Sequence, residues 1–456
     1  MDCNFTRKQE HVPLIIKSPL ARLNDNLHEV LVGTSSALAI RLFGTAIGFF
    51  VSVLIARLLG PNGAGVYFLA ISVVTILSTV GRVGFDNTVV RFVAAHASQS
   101  EWSDVLYTCR IALITVSVAS LLLGLTLLVG AEWISATLFN KPFMETPLRI
   151  ASVAVLPLSF SMILAEVLRG LRRISASQWI KTFLISAGTL ALLYPLVCAL
   201  SANGAIAAYT LSALVTSLIA WLMLQRIVQS CGQLNRSAPA QTLKRTTLFR
   251  SSIALFAVAL TGLILQHAGT LFLGVWGSAE EVGIYTLALR ISSLILFPLS
   301  ALIAVLAPKV AALHREGNRH GLEELTQTSS RILALFSAPA SLCIIVLSDW
   351  VLSVFGDEFT RGSIVLKILM IGVLFNLATG AVSNLLMMTG FEKVVRNVTI
   401  SSSLMVLVLH IILVPSFGMT GAAISSSSGM IIQNSILAWM VKIHLGFFPI
   451  RLRRGL

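Results

Sequence analysis

Apolar residues run in long stretches along this chain, separated by short polar punctuation. Twelve such stretches fall at roughly 30–57, 65–85, 104–130, 148–169, 179–201, 204–226, 250–276, 283–307, 328–350, 364–389, 395–415 and 418–441. Each reaches the ~20 residues that a helix needs to cross a bilayer. The stretches do not alternate with period two, so barrel strands are not the pattern. At membrane depth only helices and closed barrels satisfy their own backbone groups, which leaves helices. The pattern predicts an all-α integral membrane protein with about twelve transmembrane helices, numbered here spans 1 to 12. An even number of crossings returns both termini to one face.

The pattern also repeats. Gly65-Val66-Tyr67-Phe68-Leu69-Ala70 opens span 2 and Gly283-Ile284-Tyr285-Thr286-Leu287-Ala288 opens span 8, at an offset of 218. Gly204-Ala205 opens span 6 and Gly421-Ala422 opens span 12, at an offset of 217. Gly170-Leu171-Arg172-Arg173 follows span 4 and Gly390-Phe391-Glu392-Lys393 follows span 10, at an offset of 220. One such match is weak, since glycine is common at helix ends, but three at nearly one offset mark an internal repeat. Six spans per repeat give two pseudo-symmetric bundles with the same orientation, related by an axis along the membrane normal. The bundles are residues 1–228 and 248–456, joined by a polar cytoplasmic linker at 229–247.

Composition agrees. Hydrophobic residues make up 56% of the 456 positions and charged residues 11%, against roughly 25% charged in an ordinary soluble domain. The net charge of +14 could mark a nucleic-acid binder, but its distribution fits topology better. Of the 33 lysines and arginines, 25 fall on the side of the termini and 5 on the other, with Arg41, Arg110 and Arg290 inside spans. The positive-inside rule then predicts that both termini are cytoplasmic. The basic excess reads as topology plus contact with anionic membrane lipids, and no nucleic-acid partner is expected. The first 30 residues lack a compact apolar core, so no cleaved signal peptide is expected. Pro13 to Leu23 reads as a short amphipathic surface segment. Cys3, Cys109, Cys198, Cys231 and Cys343 are scattered and lack metal spacing, so they read as small buried hydrophobes. No metal or cofactor is predicted.

Ionisable groups inside a bilayer are costly and therefore mark function by default. Arg41 lies about ten residues into span 1, roughly 15 Å deep at 1.5 Å per residue. Positions 37, 38, 44 and 45 offer no acid one turn away, so Arg41 should face a wet cavity or a distant partner. Arg290 lies in span 8 and its repeat equivalent is Ser72, so this charge belongs to one half only. Guanidinium forks suit phosphate oxygens, and Arg41 with Arg290 are the predicted substrate-binding pair for an anionic substrate. Glu166 is the one acid within a span and a candidate for proton coupling. Arg169, three residues on, can pair with it, and because span 4 ends there exposure is expected. Arg110 should snorkel to the cytoplasmic interface. His267 and His410 read as hydrogen-bonded interior histidines. The run Ser425 to Ser428, with Gln433 and Asn434, reads as glue between helices. Pro157, Pro195, Pro298 and Pro339 lie within spans and can permit bending.

Enzyme signatures are absent: there is no GxxxxGK[ST], no HExxH and no GxSxG. Asp86 reads as a helix-end salt bridge, and Glu280, Glu281, Asp357 and Glu358 form no recognisable catalytic pair.

The segments Ala56-Arg57-Leu58-Leu59-Gly60-Pro61, Gly65-Val66-Tyr67, Gly84 and Arg91-Phe92-Val93-Ala94 resemble the opening of the polysaccharide transporters. These are the Wzx-type flippases of the multidrug/oligosaccharidyl-lipid/polysaccharide (MOP) superfamily. Length, twelve spans and the six-plus-six repeat extend the likeness over the whole chain, an architecture shared with drug/cation antiporters (MATE) and lipid II flippases. The resemblance implies a transporter rather than an enzyme. It implies a multi-pass protein of the cytoplasmic (inner) membrane that exports a lipid-linked oligosaccharide on undecaprenyl diphosphate for surface polysaccharide such as O-antigen or exopolysaccharide. Such a flippase works as a monomer, by alternating access through a cationic central cavity, alongside polysaccharide polymerase machinery. Two rivals stay open. A cation-coupled MATE-type drug exporter predicts acids in the cavity, where only Glu166 qualifies. A membrane-embedded glycan polymerase or ligase predicts a large external loop, where the longest candidate is about Ala131 to Pro147.

Overall fold

The apolar stretches become helix almost throughout, and a computed structural model describes residues 19–231 and 245–449. Among these residues there is no strand. The reading of Pro13 to Leu23 falls largely before Pro19, outside the described residues. Spans 1 and 2 come from Pro19–Gly81, broken at Gly60, where φ is 64°. Glycine takes that left-handed turn without steric cost, and Pro61 can start the next helix because a first-turn N–H has no partner to lose. Span 2 continues in Phe85–Ser98. Span 3 is Trp102–Trp133 with a π turn at Ile134–Leu138, and span 4 is Glu145–Ser152 with Val155–Gly170. Spans 5 and 6 run from Ile174–Gln178 through Ile185–Cys231, broken at Ser201.

The second half repeats this plan. Span 7 is Arg245–Trp276, span 8 is Ala279–Leu294 with Phe297–Arg315, and span 9 is Arg319–Val346. Span 10 is Ser363–Thr379 with Val382–Met388, and spans 11 and 12 share Glu392–Leu445, broken at Gly418. The described residues therefore make twelve crossings, and the first and last of them, Pro19 and Pro449, lie on one face, the terminal face. The expected linker is entered from both sides, because helix persists to Cys231 and resumes at Arg245; residues 232–244 lie outside the described residues.

The repeat is sharper in the backbone than in the sequence. Ser201 (φ 51°, ψ −128°) and Gly418 (φ 53°, ψ −133°) make the same turn at an offset of 217. The serine holds a conformation that costs an L-residue ~1–3 kcal/mol, the glycine does not. Three residues on, Gly204 packs against the backbone of Leu196 and Gly421 against that of Leu413, closing two equivalent hairpins. Gly65 and Gly283 do something else: they meet each other. A Cβ at Gly65 would collide with the Ala279 carbonyl, and one at Gly283 with the Pro61 carbonyl. Since 61 and 65 correspond to 279 and 283, these two contacts are one contact seen from either side of the pseudo-twofold axis. The third match shifts by two residues. Gly170 stays helical against Val93, while Arg172 (φ 61°) is the backbone counterpart of Gly390 (φ 89°).

Spans 2, 4, 8 and 10 are each built from two pieces, and these are the same two spans in each half. The break in span 2 uses Val83 (φ 48°) and Gly84 (φ 74°), and that in span 10 uses Gly380 (φ 72°). Pro157 and Pro298 stand at the starts of second pieces, where the missing N–H costs nothing. Pro195 and Pro339 are carried inside continuous helix instead.

The outer surface of the bundle is apolar, with Val129, Leu335, Phe336 and Phe43 among many exposed large side chains. In lipid these side chains lose nothing by exposure. The same reasoning corrects the cysteine expectation. Cys109 is buried, but Cys198 and Cys343 are exposed.

The core decides the shape. One large cluster joins both halves, from Val51, Ile55, Phe68 and Leu148 to Leu273, Ile284, Phe355 and Val365. Toward the terminal face it gives way to two clusters. One, around Val89, Val105 and Leu168, belongs to the first half with Leu248 from the start of span 7; the other, around Leu322, Leu385 and Leu437, belongs to the second. The halves are packed together at the face away from the termini; toward the terminal face they part except along span 7, whose Ser252 carbonyl packs on Gly84 and whose Phe249 ring meets Phe85.

Candidate functional site at the seam between the halves

Arg290 is a charge that lies at the seam between the halves. It sits in the first piece of span 8, just before the break at 295–296, and leaves its own half. Its Nη1 donates to Ser52 Oγ of span 1 at 2.5 Å, and its guanidinium lies over the Phe68 ring of span 2, 4.6 Å from the centroid. The hydroxyls of Tyr67 and Tyr209 are close enough to feel its charge. Among the described residues no carboxylate pairs with it. Hydroxyl dipoles and one aromatic face therefore carry a full positive charge inside the spanning bundle, a balance that an incoming anion would improve.

The surroundings of Arg290 are the point where the repeat is broken. Tyr285 of span 8 bonds Ser426 of span 12 at 2.9 Å. Its counterpart Tyr67 faces Tyr209, the counterpart of Ser426, in the first half. Ser72, the counterpart of Arg290, is buried. His267 belongs to this neighbourhood. Thr270 bonds Thr286 at 3.2 Å across the hairpin of spans 7 and 8, which sets His267 level with Ala288 and Leu289. Its Nε2 is buried and finds no hydrogen-bond partner among the described residues, so the expected interior hydrogen bond is not made there. His410 does make one: Nδ1 to the Val406 carbonyl at 2.7 Å.

Arg41 lies on the same side of span 1 as Ser52. Eleven residues separate them, about three turns and roughly 16 Å along the axis. Arg41 is exposed, yet Phe43 and Phe50, the lipid-facing side chains of that helix, lie about half a turn round from it. Its neighbours Gly44 and Gly48 pack on Thr182 and Ser186 of span 5. Exposure without facing the lipid means that Arg41 borders the opening between the halves. Among the described residues no hydrogen bond or ion pair joins span 1 to the second piece of span 8. Arg41 and Arg290 are thus not one clamp. They stand at two depths along one side of span 1.

Glu166 is placed differently from expectation. It is only 7% exposed, because the start of span 5 covers it. Its Oε1 receives Lys181 Nζ at 2.5 Å and its Oε2 faces Arg169 Nε at 2.9 Å. The Arg169 pairing was legible from spacing; the Lys181 bond needed the fold. Asp86 makes the expected helix-end pair with Arg82, at 2.7 Å. We expect Glu166→Gln to lower stability by about 3 kcal/mol, since it leaves Lys181 facing a neutral amide in a buried position. Thermal unfolding in detergent checks this. A normal melt combined with loss of the transport response to a pH gradient would instead make Glu166 the coupling group.

Elsewhere, Ser426 and Ser427 of span 12 bond Tyr285 and the Ile368 carbonyl, as the reading of that run as glue requires. Arg110 is exposed. His96, Glu101 and Asp104, at the tight turn between spans 2 and 3, bring their ligand atoms within 4.8 Å, with His96 Nδ1 at 2.6 Å from Glu101. No spacing along the chain marks that group.

At the face away from the termini, two basic side chains of the first half cross the seam. Lys141, 8% exposed, donates to the carbonyls of Phe139 at 3.1 Å and Gly274 at 2.6 Å. Burial pushes its ammonium below the usual lysine range, and the Glu281 carboxylate opposes that. Arg57 Nε donates to the Val354 carbonyl at 2.7 Å.

A helical bundle of this plan has known relatives. The family model described as polysaccharide biosynthesis protein matches residues 30–314, and the MatE model matches residues 254–415. The probable low-salt glycan biosynthesis flippase Agl15 of Haloferax volcanii is 23% identical over 395 residues, covering 85% of this chain and 78% of that protein. Among solved structures, the lipid II flippase MurJ in an inward closed conformation superposes with a TM-score of 0.70 at 15% identity, covering 89% of this chain and 87% of MurJ. An inward-facing multidrug resistance MATE transporter of the MOP superfamily gives 0.69 at 17% identity, covering 90% and 98%. These likenesses carry the twelve-helix fold, and with the first model matching well over half of its length, the chain belongs to the polysaccharide biosynthesis protein family.

Proposed function

We propose that this protein flips a lipid-linked oligosaccharide, carried on undecaprenyl diphosphate, across the cytoplasmic membrane for surface polysaccharide biosynthesis. The observation that carries the reading is Arg290, a seam arginine inside the spanning bundle that no carboxylate among the described residues neutralises. Unaided, a diphosphate and its sugars would have to leave water, at a cost that forbids the crossing. The cleft replaces that water. Arg41 meets the diphosphate at the opening, Arg290 holds it at the closed end, and the lipid tail stays in the bilayer.

The terminal face is cytoplasmic in this reading, which the 25-to-5 bias of basic residues supports. The two bundles rock about the Gly65–Gly283 contact, so that the cleft opens first to the cytoplasm and then outward. One chain suffices as the working unit, handing its cargo to the polymerase that extends the glycan. Glu166 serves as a buried tie between spans 4 and 5.

Deleting the gene and measuring lipid-linked saccharides by mass spectrometry tests the proposal. One completed diphospholipid oligosaccharide should accumulate while its surface polymer, O-antigen or exopolysaccharide, disappears. Unchanged lipid-linked pools with altered drug sensitivity would replace the flippase with an exporter.

A further inference from the structure

Arg57 and Lys141 come from different parts of the first half, yet they end on the same kind of acceptor. Gly274 lies in the last turn of span 7, and the N–H that would ordinarily reach its carbonyl, that of Ser278, is taken by Glu281 Oε2 at 2.9 Å. Val354 is the residue that ends the short helix Ser348–Ser353. Both acceptors are therefore carbonyls at helix C-termini, which lack partners within their helices and carry the negative end of the helix dipole. Both belong to the second half. Each crossing is backed by an apolar contact: Phe49 meets Phe355 edge-on at 5.8 Å beside Arg57, and Gly274 leaves room for Phe139 beside Lys141. Arg57 serves the edge of the seam at span 1, Lys141 the edge at spans 3 and 7.

We propose that Arg57 and Lys141 are paired latches that hold the outer gate closed, one at each edge of the seam. The inference rests on the rocking mechanism above and adds the residues that set its resting position. Acceptor chemistry makes the latch reversible. A carboxylate would leave two charges to resolvate on opening, whereas a C-terminal carbonyl exposed to water is readily hydrated. The glycine crossing between the two latches supplies a pivot with no side chain to tear apart. Charged donors to carbonyls favour the closed gate by about tenfold each in population.

Spin labels at Phe143→Cys and Trp350→Cys, both exposed and in opposite halves at this face, measure the gate. The five native cysteines are replaced by alanine, and distances are read by pulsed electron resonance in lipid nanodiscs. The native pair should show one dominant short distance. Arg57→Met or Lys141→Met should raise the long-distance population about tenfold, and the double variant more, while Lys141→Arg should keep the native distribution. The latch is overturned if the double variant matches the native distribution although added undecaprenyl diphosphate moves the native protein between both distances. One distance under all conditions, with and without undecaprenyl diphosphate, would overturn the rocking mechanism and the latch with it.

Discussion

Arg290→Ala should cut transport by about 100-fold and leave the bundle folded. A charge-assisted bond between a guanidinium and a phosphate in a partly dry site is worth several kcal/mol when one partner is removed. The fold has less to lose. Among the described residues the Arg290 side chain makes one hydrogen bond, to Ser52, and one ring contact, to Phe68, so its removal leaves Ser52 Oγ still bonded to the Gly48 carbonyl and creates no orphan charge. Arg290→Lys keeps the charge and loses the planar fork, and should recover only part of the activity. The measurement is flipping of a diphosphate-linked glycan in proteoliposomes, alongside thermal unfolding. Full transport with a lowered melting temperature would make Arg290 a tie between the halves and remove the anion site. Arg41→Ala should be milder, because Arg41 stands at the wide opening, where water competes for the same phosphate.

The second large effect belongs to residues with no side chain at all. Gly65→Val and Gly283→Val should each abolish transport and destabilise the protein by about 3 kcal/mol or more, since overpacking costs ~1–3 kcal/mol even where neighbours can yield. Here they cannot, because the colliding atoms are the carbonyl groups of Ala279 and Pro61. The two helices would have to move apart where the halves are joined. Gly262, with nothing near its missing Cβ among the described residues, is the control position and should accept alanine. Melting in detergent and proteoliposome flipping read both effects together; native behaviour of Gly65→Val would show that the axis contact is loose.

Hydropathy, basic-residue bias and three glycine matches were enough for the sequence to specify a helical membrane protein of twelve spans in two repeated halves. Those properties are written locally: an apolar stretch of ~20 residues can only be a span in a bilayer, and a repeat is visible wherever both copies keep the same helix end. Arg41 and Arg290 were legible for the same reason, as charges in apolar runs. Sequence could not say what they touch. Ser52, Phe68 and Tyr209 are ordinary residues of ordinary spans until span 8 leans Arg290 across to them. Lys141 and Arg57 counted only as charges on the far side until the packing aimed them at helix ends in the other half. Glu166 was expected to be exposed because its own span ends there, and it is buried because another span begins over it. Local sequence determines which segments cross the bilayer and which groups are costly there. Only packing between distant spans decides which of those groups are neutralised, which stay available to a ligand, and which face of the cleft is closed.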